Sequence, residues 1–274
     1  MKHISKITAI ALLATLSACE GSDMPIQQAD NHGYISFSAQ PQKTATRANP
    51  YEAYDPTRHP ATMGTFGYYD MPKRYASAAN TIFNNETATY NVATYGWDTA
   101  TKKRWTEYTK ASSFDFFAYM PYTGGATLLR TANNTYTLSF PFAMSDGGNP
   151  VPVIYDTKAA PIICAVPSSK GAISDSNGGG TVSLKFDQTL TGYKLLFMLG
   201  TKMNAIRHFR IKSVTLSGSF STSCTISRSY VWNTTSKSWS ASAITWSDIK
   251  RQSFVETPFT IAYKGYGSAD YDDN

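Results

Sequence analysis

Apolar and polar residues alternate with a period of two along most of this chain, and no segment keeps a helical period. Tyr34-Ile35-Ser36-Phe37-Ser38 reads as a first strand. Residues 40–62, with Pro41, Pro50, Pro56 and Pro60, read as a loop. Thr65 to Tyr69 predicts the next strand, and Thr87 to Val92, continued to Trp97, another. Phe114 to Tyr119 is an apolar strand stopped by Pro121 and Gly124-Gly125, and Tyr136 to Phe140 alternates again. Short apolar runs follow at 151–154 and 161–166, then a Gly/Ser/Asn loop at 174–180. Further strands are predicted at 181–186, 193–199, 207–217, 224–232, 239–246 and 254–263. Frequent turn signals between short strands are the pattern of an all-β sandwich or barrel.

One motif occurs twice. Tyr95-Gly96-Trp97-Asp98-Thr99 leads to Trp105, and Tyr230-Val231-Trp232-Asn233-Thr234 leads to Trp239. Both read as hairpins with polar turns between flanking aromatics. Two uses are open: cross-strand packing, or Trp97, Trp105, Trp232 and Trp239 as surface aromatics on which sugar rings stack. The echo also suggests two related β-domains, divided near the Gly-rich loop or shortly after residue 190.

Composition narrows the picture. The 274 residues are 42% hydrophobic and 14% aromatic but only 16% charged, which argues for a folded body and against a coiled coil or a disordered chain. The formal charge of +6 is spread out, with no Lys/Arg cluster interleaved with aromatics, so nucleic-acid binding has no support.

The N-terminus carries a targeting signal. Lys2 and Lys6 precede an apolar stretch from Ile7 to Leu16, too short to span a bilayer, then Ser17, Ala18 and Cys19. Leu16-Ser17-Ala18-Cys19 resembles the lipobox of bacterial lipoproteins. Small residues admit the peptide bond to a signal peptidase, and the Cys19 thiol is the nucleophile that carries diacylglycerol. The expected mature chain starts at Cys19, loses 1–18, and is held by acyl chains, of which two or three anchor stably. Residues 19–33 form a polar tether. Cys164 and Cys224 could pair after export or remain buried free thiols.

The order of features then resembles a known family. After the lipobox and the strand Tyr34 to Ala39 come Thr44-Ala45-Thr46-Arg47-Ala48, then Trp105-Thr106-Glu107-Tyr108, then Phe114-Asp115-Phe116-Phe117-Ala118-Tyr119-Met120-Pro121. Val182 to Leu190 follows ahead of another apolar stretch. This is similar to the fimbrillins, the pilin lipoproteins of Bacteroidales. The resemblance implies two β-sandwich domains of transthyretin-like, Greek-key type, here 34–190 and a shorter 191–274. It implies an outer-membrane lipoprotein at the cell surface, cut by a trypsin-like protease between Arg47 and Ala48. Removal of the first strand, with Tyr34, Ile35, Phe37 and Ala39, would open a groove. A strand of another fimbrial subunit would fill it by strand addition.

Residue chemistry adds no catalytic alternative. His59 and His208 have no nucleophile partner at a telling spacing, and no spacing selects among Asp70, Asp115, Asp156 and Asp187. There is no CxxC, HExxH or P-loop motif. The expectation is a structural or adhesive pilus subunit, not an enzyme, with no cofactor and no metal. A host or bacterial surface receptor is a further expected partner. The alternative is a monomeric cell-surface lipoprotein that binds glycans through exposed Trp and Tyr.

Overall fold

The computed structural model describes residues 33–43, 50–71, 80–143, 145–146, 149–150, 160–173, 179–190 and 217–255. The predicted signal peptide, Cys19, Arg47-Ala48, the apolar run at 151–154, the strand expected at 193–199, and most of those at 207–217 and 254–263 lie outside these residues. What is described is nearly all β. The strands are β1 (Ser36–Pro41), β2 (Thr62–Tyr69), β3 (Thr81–Asn91), β4 (Gly96–Thr99), β5 (Ser113–Met120), β6 (Thr127–Ala132) and β7 (Thr135–Ala143). They continue as the two-residue β8 (Ser145–Asp146) and β9 (Asn149–Pro150), β10 (Ile162–Cys164), β11 (Ser168–Gly171), β12 (Thr181–Gln188), β13 (Ser217–Asn233), β14 (Ser238–Ala241) and β15 (Thr245–Val255).

Eight strands make one sheet in the order β10-β12-β1-β4-β3-β2-β5-β11. An additional β10–β5 pairing closes that sheet on itself, so the unit is a barrel. Closure pairs the edge that β10 would otherwise expose, while β11 stays an end strand. The period-two pattern decides which side chains point inward. Phe114, Phe116, Ala118 and Met120 from β5 join Val182, Leu184 and Phe186 from β12 in the interior cluster.

Strands β2 and β5 are buried on both faces. Their outward residues Phe66, Tyr68, Phe117 and Tyr119 belong to a second apolar cluster. That layer is completed by Tyr136, Leu138, Phe140 and Phe142 of β7 and by Ile226 and Tyr230 of β13. The second sheet runs β14-β13-β7-β6, with β15 also on β13. Gly64 lies opposite Tyr119 on the neighbouring strand, and the Tyr119 ring occupies the space a side chain there would need, since a Cβ would lie 2.2 Å from it. Tyr119 itself stacks on Phe140 with centroids 4.4 Å apart.

Three expectations change. Ile226 and Tyr230 share a core with Phe66 and Phe117, so a boundary after residue 190 does not separate the described part of 191–274 from what precedes it. The all-β expectation holds, but the N-terminal unit is a barrel rather than an open sandwich. The strand predicted from Thr87 through Trp97 is two strands, β3 and β4, folded back so that Tyr90 pairs with Trp97. Asn91 makes that turn, its Oδ1 accepting the Ala93 amide at 2.9 Å.

Candidate functional site

The first strand sits inside the barrel wall. β1 lies parallel to β12 from Ser36↔Thr181 to Pro41↔Phe186, and touches β4 at Phe37↔Trp97. Ile35, Phe37 and Ala39 point into the interior and are 2%, 0% and 5% exposed. The Phe37 ring meets Phe83 and Phe116 edge-on, at 5.8 and 5.6 Å. Ser36 faces the other way and is still buried, with its hydroxyl 3.1 Å from that of Thr181. β1 is therefore a plug with sidedness: apolar inward, hydroxyl outward.

Tyr34 does not belong to the inward set. Alternation puts residues 35, 37 and 39 on one face and 34 on the other. The Tyr34 ring lies under the Arg104 guanidinium, 4.7 Å from its carbon, and its hydroxyl accepts from Arg104 Nη2 at 2.9 Å. Backbone bonds from Ile35 N to Lys103 O and from Trp105 N to Gly33 O fasten this end of the strand.

The other end is fastened by residues beyond the expected processing segment. Gln42 bridges Tyr51, Lys43 N donates to Pro50 O, and Glu52 N donates to Pro41 O. A backbone hydrogen bond between Lys43 and Pro50 thus brackets residues 44–49. Arg47 and Ala48 lie between these two residues in sequence and outside the described residues. The Tyr51 hydroxyl donates to Asp187 Oδ1 at 3.0 Å, on β12. Burial and the Asp187 bond push the Tyr51 phenol up to about 12. Asp187 also receives Arg228 Nη1 at 2.6 Å, tying β12 to β13 of the second sheet. Neither Tyr51 nor this use of Asp187 was visible as a site in the sequence. The alternation of Val182, Leu184 and Phe186 marked a strand, but nothing local marked it as the partner of β1.

The four tryptophans divide. Trp97 and Trp105 are each 1% exposed, so they are not surface aromatics. Trp97 packs against Tyr54 and Tyr90, and its indole N–H has no hydrogen-bond partner. Trp105 meets Phe114 and Phe116 edge-on and donates to Gly180 O at 3.1 Å. Both were drawn inward because the barrel needs bulky filler at positions that alternation alone could not distinguish from surface. Trp232 and Trp239 are partly exposed and face each other across the β13–β14 hairpin, 5.3 Å between centroids. Its turn is the expected polar one, with Asn233 Oδ1 accepting from Thr235 N and Ser236 N.

The remaining candidates hold structure together. Cys164 and Cys224 are free thiols. Cys164 is buried against the Tyr230 hydroxyl at 2.9 Å, and burial pushes the thiol up to about 11. Asp70 accepts from Ser112 N, Ser112 Oγ and Ser113 N. Asp115 lies between barrel and second sheet, where Oδ1 accepts from Ser169 Oγ and Trp239 Nε1 while Oδ2 has no partner. Burial raises its carboxyl above the ordinary value, against those two hydrogen bonds. Buried His59 is held neutral by desolvation, which lowers its pKa. Asp156 and His208 lie outside the described residues. Among the described residues no group of three or more His, Cys, Asp or Glu could hold a metal ion.

Comparison with known proteins returns no match: no protein family, no curated protein and no solved structure is significantly similar to this chain.

Proposed function

We propose that this chain is a pilus subunit, exported as a lipoprotein through Cys19 and assembled by strand exchange after proteolysis. The observation that carries the reading is β1: a strand whose side chains fill the barrel core and whose far end is fastened just before residue 44 by the Lys43–Pro50 backbone hydrogen bond. Supporting it are the lipobox, the Thr-Arg-Ala segment and the strand ending at Pro121, which together resemble fimbrillins. In this scheme an external trypsin-like protease hydrolyses the Arg47–Ala48 amide. Water adds across the bond, leaving a carboxylate on Arg47 and an amine on Ala48. The lipid anchor and β1 are then no longer covalently attached to residues 48–274.

Magnitudes favour replacement over an empty slot. Burial of Ile35 and Phe37 is worth roughly 3–6 kcal/mol together. That is a large share of the about 5–15 kcal/mol by which such domains are stable. Departure of β1 also leaves backbone groups of β12 unpaired. A barrel emptied of β1 gains by taking up a strand from a neighbouring subunit. Of the four tryptophans first considered for glycan binding, only Trp232 and Trp239 reach the surface, since Trp97 and Trp105 lie in the core.

The test is limited trypsin digestion of the Cys19→Ser protein, followed by N-terminal sequencing and size-exclusion chromatography. Cleavage at Arg47–Ala48, a folded 48–274 fragment and growth of larger species are the expected results. Resistance at Arg47 with a persistently monomeric product overturns the proposal.

A further inference from the structure

We infer that the β1 slot accepts only strands of one sided pattern: a hydroxyl residue, an aromatic and, two positions later, a small residue. The inference rests on the strand-exchange reading above and names the partner that reading requires. The incoming segment runs parallel to β12 and places its aromatic where Phe37 now lies.

Three features of the resident strand set these requirements. Phe37 is fully buried, in register with Val182 and Trp97 and edge-on to Phe83 and Phe116. Only a flat ring of that size preserves both edge contacts; an aliphatic side chain fills volume but loses the quadrupole geometry. Ser36 supplies the second requirement. Most outward residues of a barrel meet water and select nothing, yet Ser36 is 4% exposed and its hydroxyl meets that of Thr181 at 3.1 Å. A branched apolar residue there takes the Ser36 partner away from the half-buried Thr181 hydroxyl. The third feature is Ala39, 5% exposed and in register with Leu184, where added volume overpacks the wall.

Together the two faces fix frame as well as identity. A slip by one residue points the hydroxyl into the aromatic core and the ring into the wall. Main-chain bonds to β12 are available to any extended peptide and give affinity without choice. The choice is made by the Phe37 and Ser36 positions, one on each face. Subunit order in an assembly would then follow from which donor segments carry this pattern.

The experiment uses the full Cys19→Ser chain with an exogenous protease site inserted between residues 44 and 49, so that nicking does not depend on Arg47. Labelled peptides are added to the nicked protein, and displacement of the resident strand is read by fluorescence anisotropy and mass spectrometry. The probes are the 33–43 sequence, its Phe37→Leu, Ser36→Val and Ala39→Leu variants, and a version with Ser36 and Phe37 exchanged. The 33–43 peptide is expected to displace the resident strand, each single variant to bind at least about tenfold more weakly, and the exchanged peptide not to bind. Equal binding by all five leaves strand exchange standing and overturns the pattern requirement. Failure of the 33–43 peptide itself to enter overturns strand exchange, and this inference with it.

Discussion

Truncating Phe37 to alanine tests whether the first strand holds the barrel together. The side chain is 0% exposed and contacts Phe83 and Phe116 edge-on. Removing a buried Phe side chain costs about 3–5 kcal/mol, from lost transfer free energy and the cavity left behind. The two edge-on pairs account for about 0.5–1.5 kcal/mol each within that figure. Ser38→Ala is the control: same strand, adjacent turn of the pleat, a partly exposed position on the opposite face, and an expected change within about 0.5 kcal/mol. The assay is urea unfolding followed by tryptophan fluorescence. Trp97 and Trp105 lie in the barrel core, whereas Trp239 packs with the second sheet, so two parts of the molecule are reported. The expected midpoint shift is about 1 M urea or more for Phe37→Ala. A loss below about 1 kcal/mol would show that the barrel closes over a missing Phe37, and the drive to fill the slot would vanish with it.

Asp115→Asn should remove a pH-dependent weakness. Burial raises the Asp115 pKa, so the fold favours its neutral form. That contribution is complete below the unfolded carboxyl value of about 3.9 and is lost as pH rises through the raised folded value, with a slope of up to about 1.4 kcal/mol per pH unit. A wild-type-minus-variant stability difference that stays flat from acid to neutral pH would refute this. Gly64→Ala should destabilise by more than about 2 kcal/mol, since its Cβ would lie 2.2 Å from the Tyr119 ring; an unchanged melting temperature would contradict the close packing. In a double-mutant cycle, Arg228→Ala and Asp187→Asn should couple by at least about 1 kcal/mol, because the pair meets at 2.6 Å with little exposure; additive losses would mean the pair contributes nothing. In the Cys19→Ser protein, native-state alkylation should reach Cys224 well before Cys164, which is fully buried with its thiol raised to about 11; equal rates would refute the burial.

Much of the secondary structure can be read from residues 33–190 because alternation is a local property. The pattern Ile35-Ser36-Phe37-Ser38-Ala39 specified both the strand and its inward face, and the structure adds only that Tyr34 falls on the other side. The β13–β14 hairpin was likewise local, since Asn233 closes its turn from within the motif. β6 went unseen because Thr127–Ala132 buries a single residue and so leaves almost no pattern. Whether Trp97 and Trp105 pack or face solvent stayed open because an aromatic flanked by polar residues looks the same on either face; both pack.

Pairing is where sequence stops being informative. The Ser36–Thr181 contact joins residues 145 apart, and no local signal says that β1 lies beside β12 rather than beside β2. Closure through β10 and β5, and the docking of β13 on β2 and β5, depend on matching apolar surfaces that exist only once the strands are assembled. The sequence by itself determined that the chain is built of strands and that prolines crowd the segment after the first one. Only the tertiary structure decided that this strand fills a barrel, because burial on both faces is a property of neighbours and not of the segment.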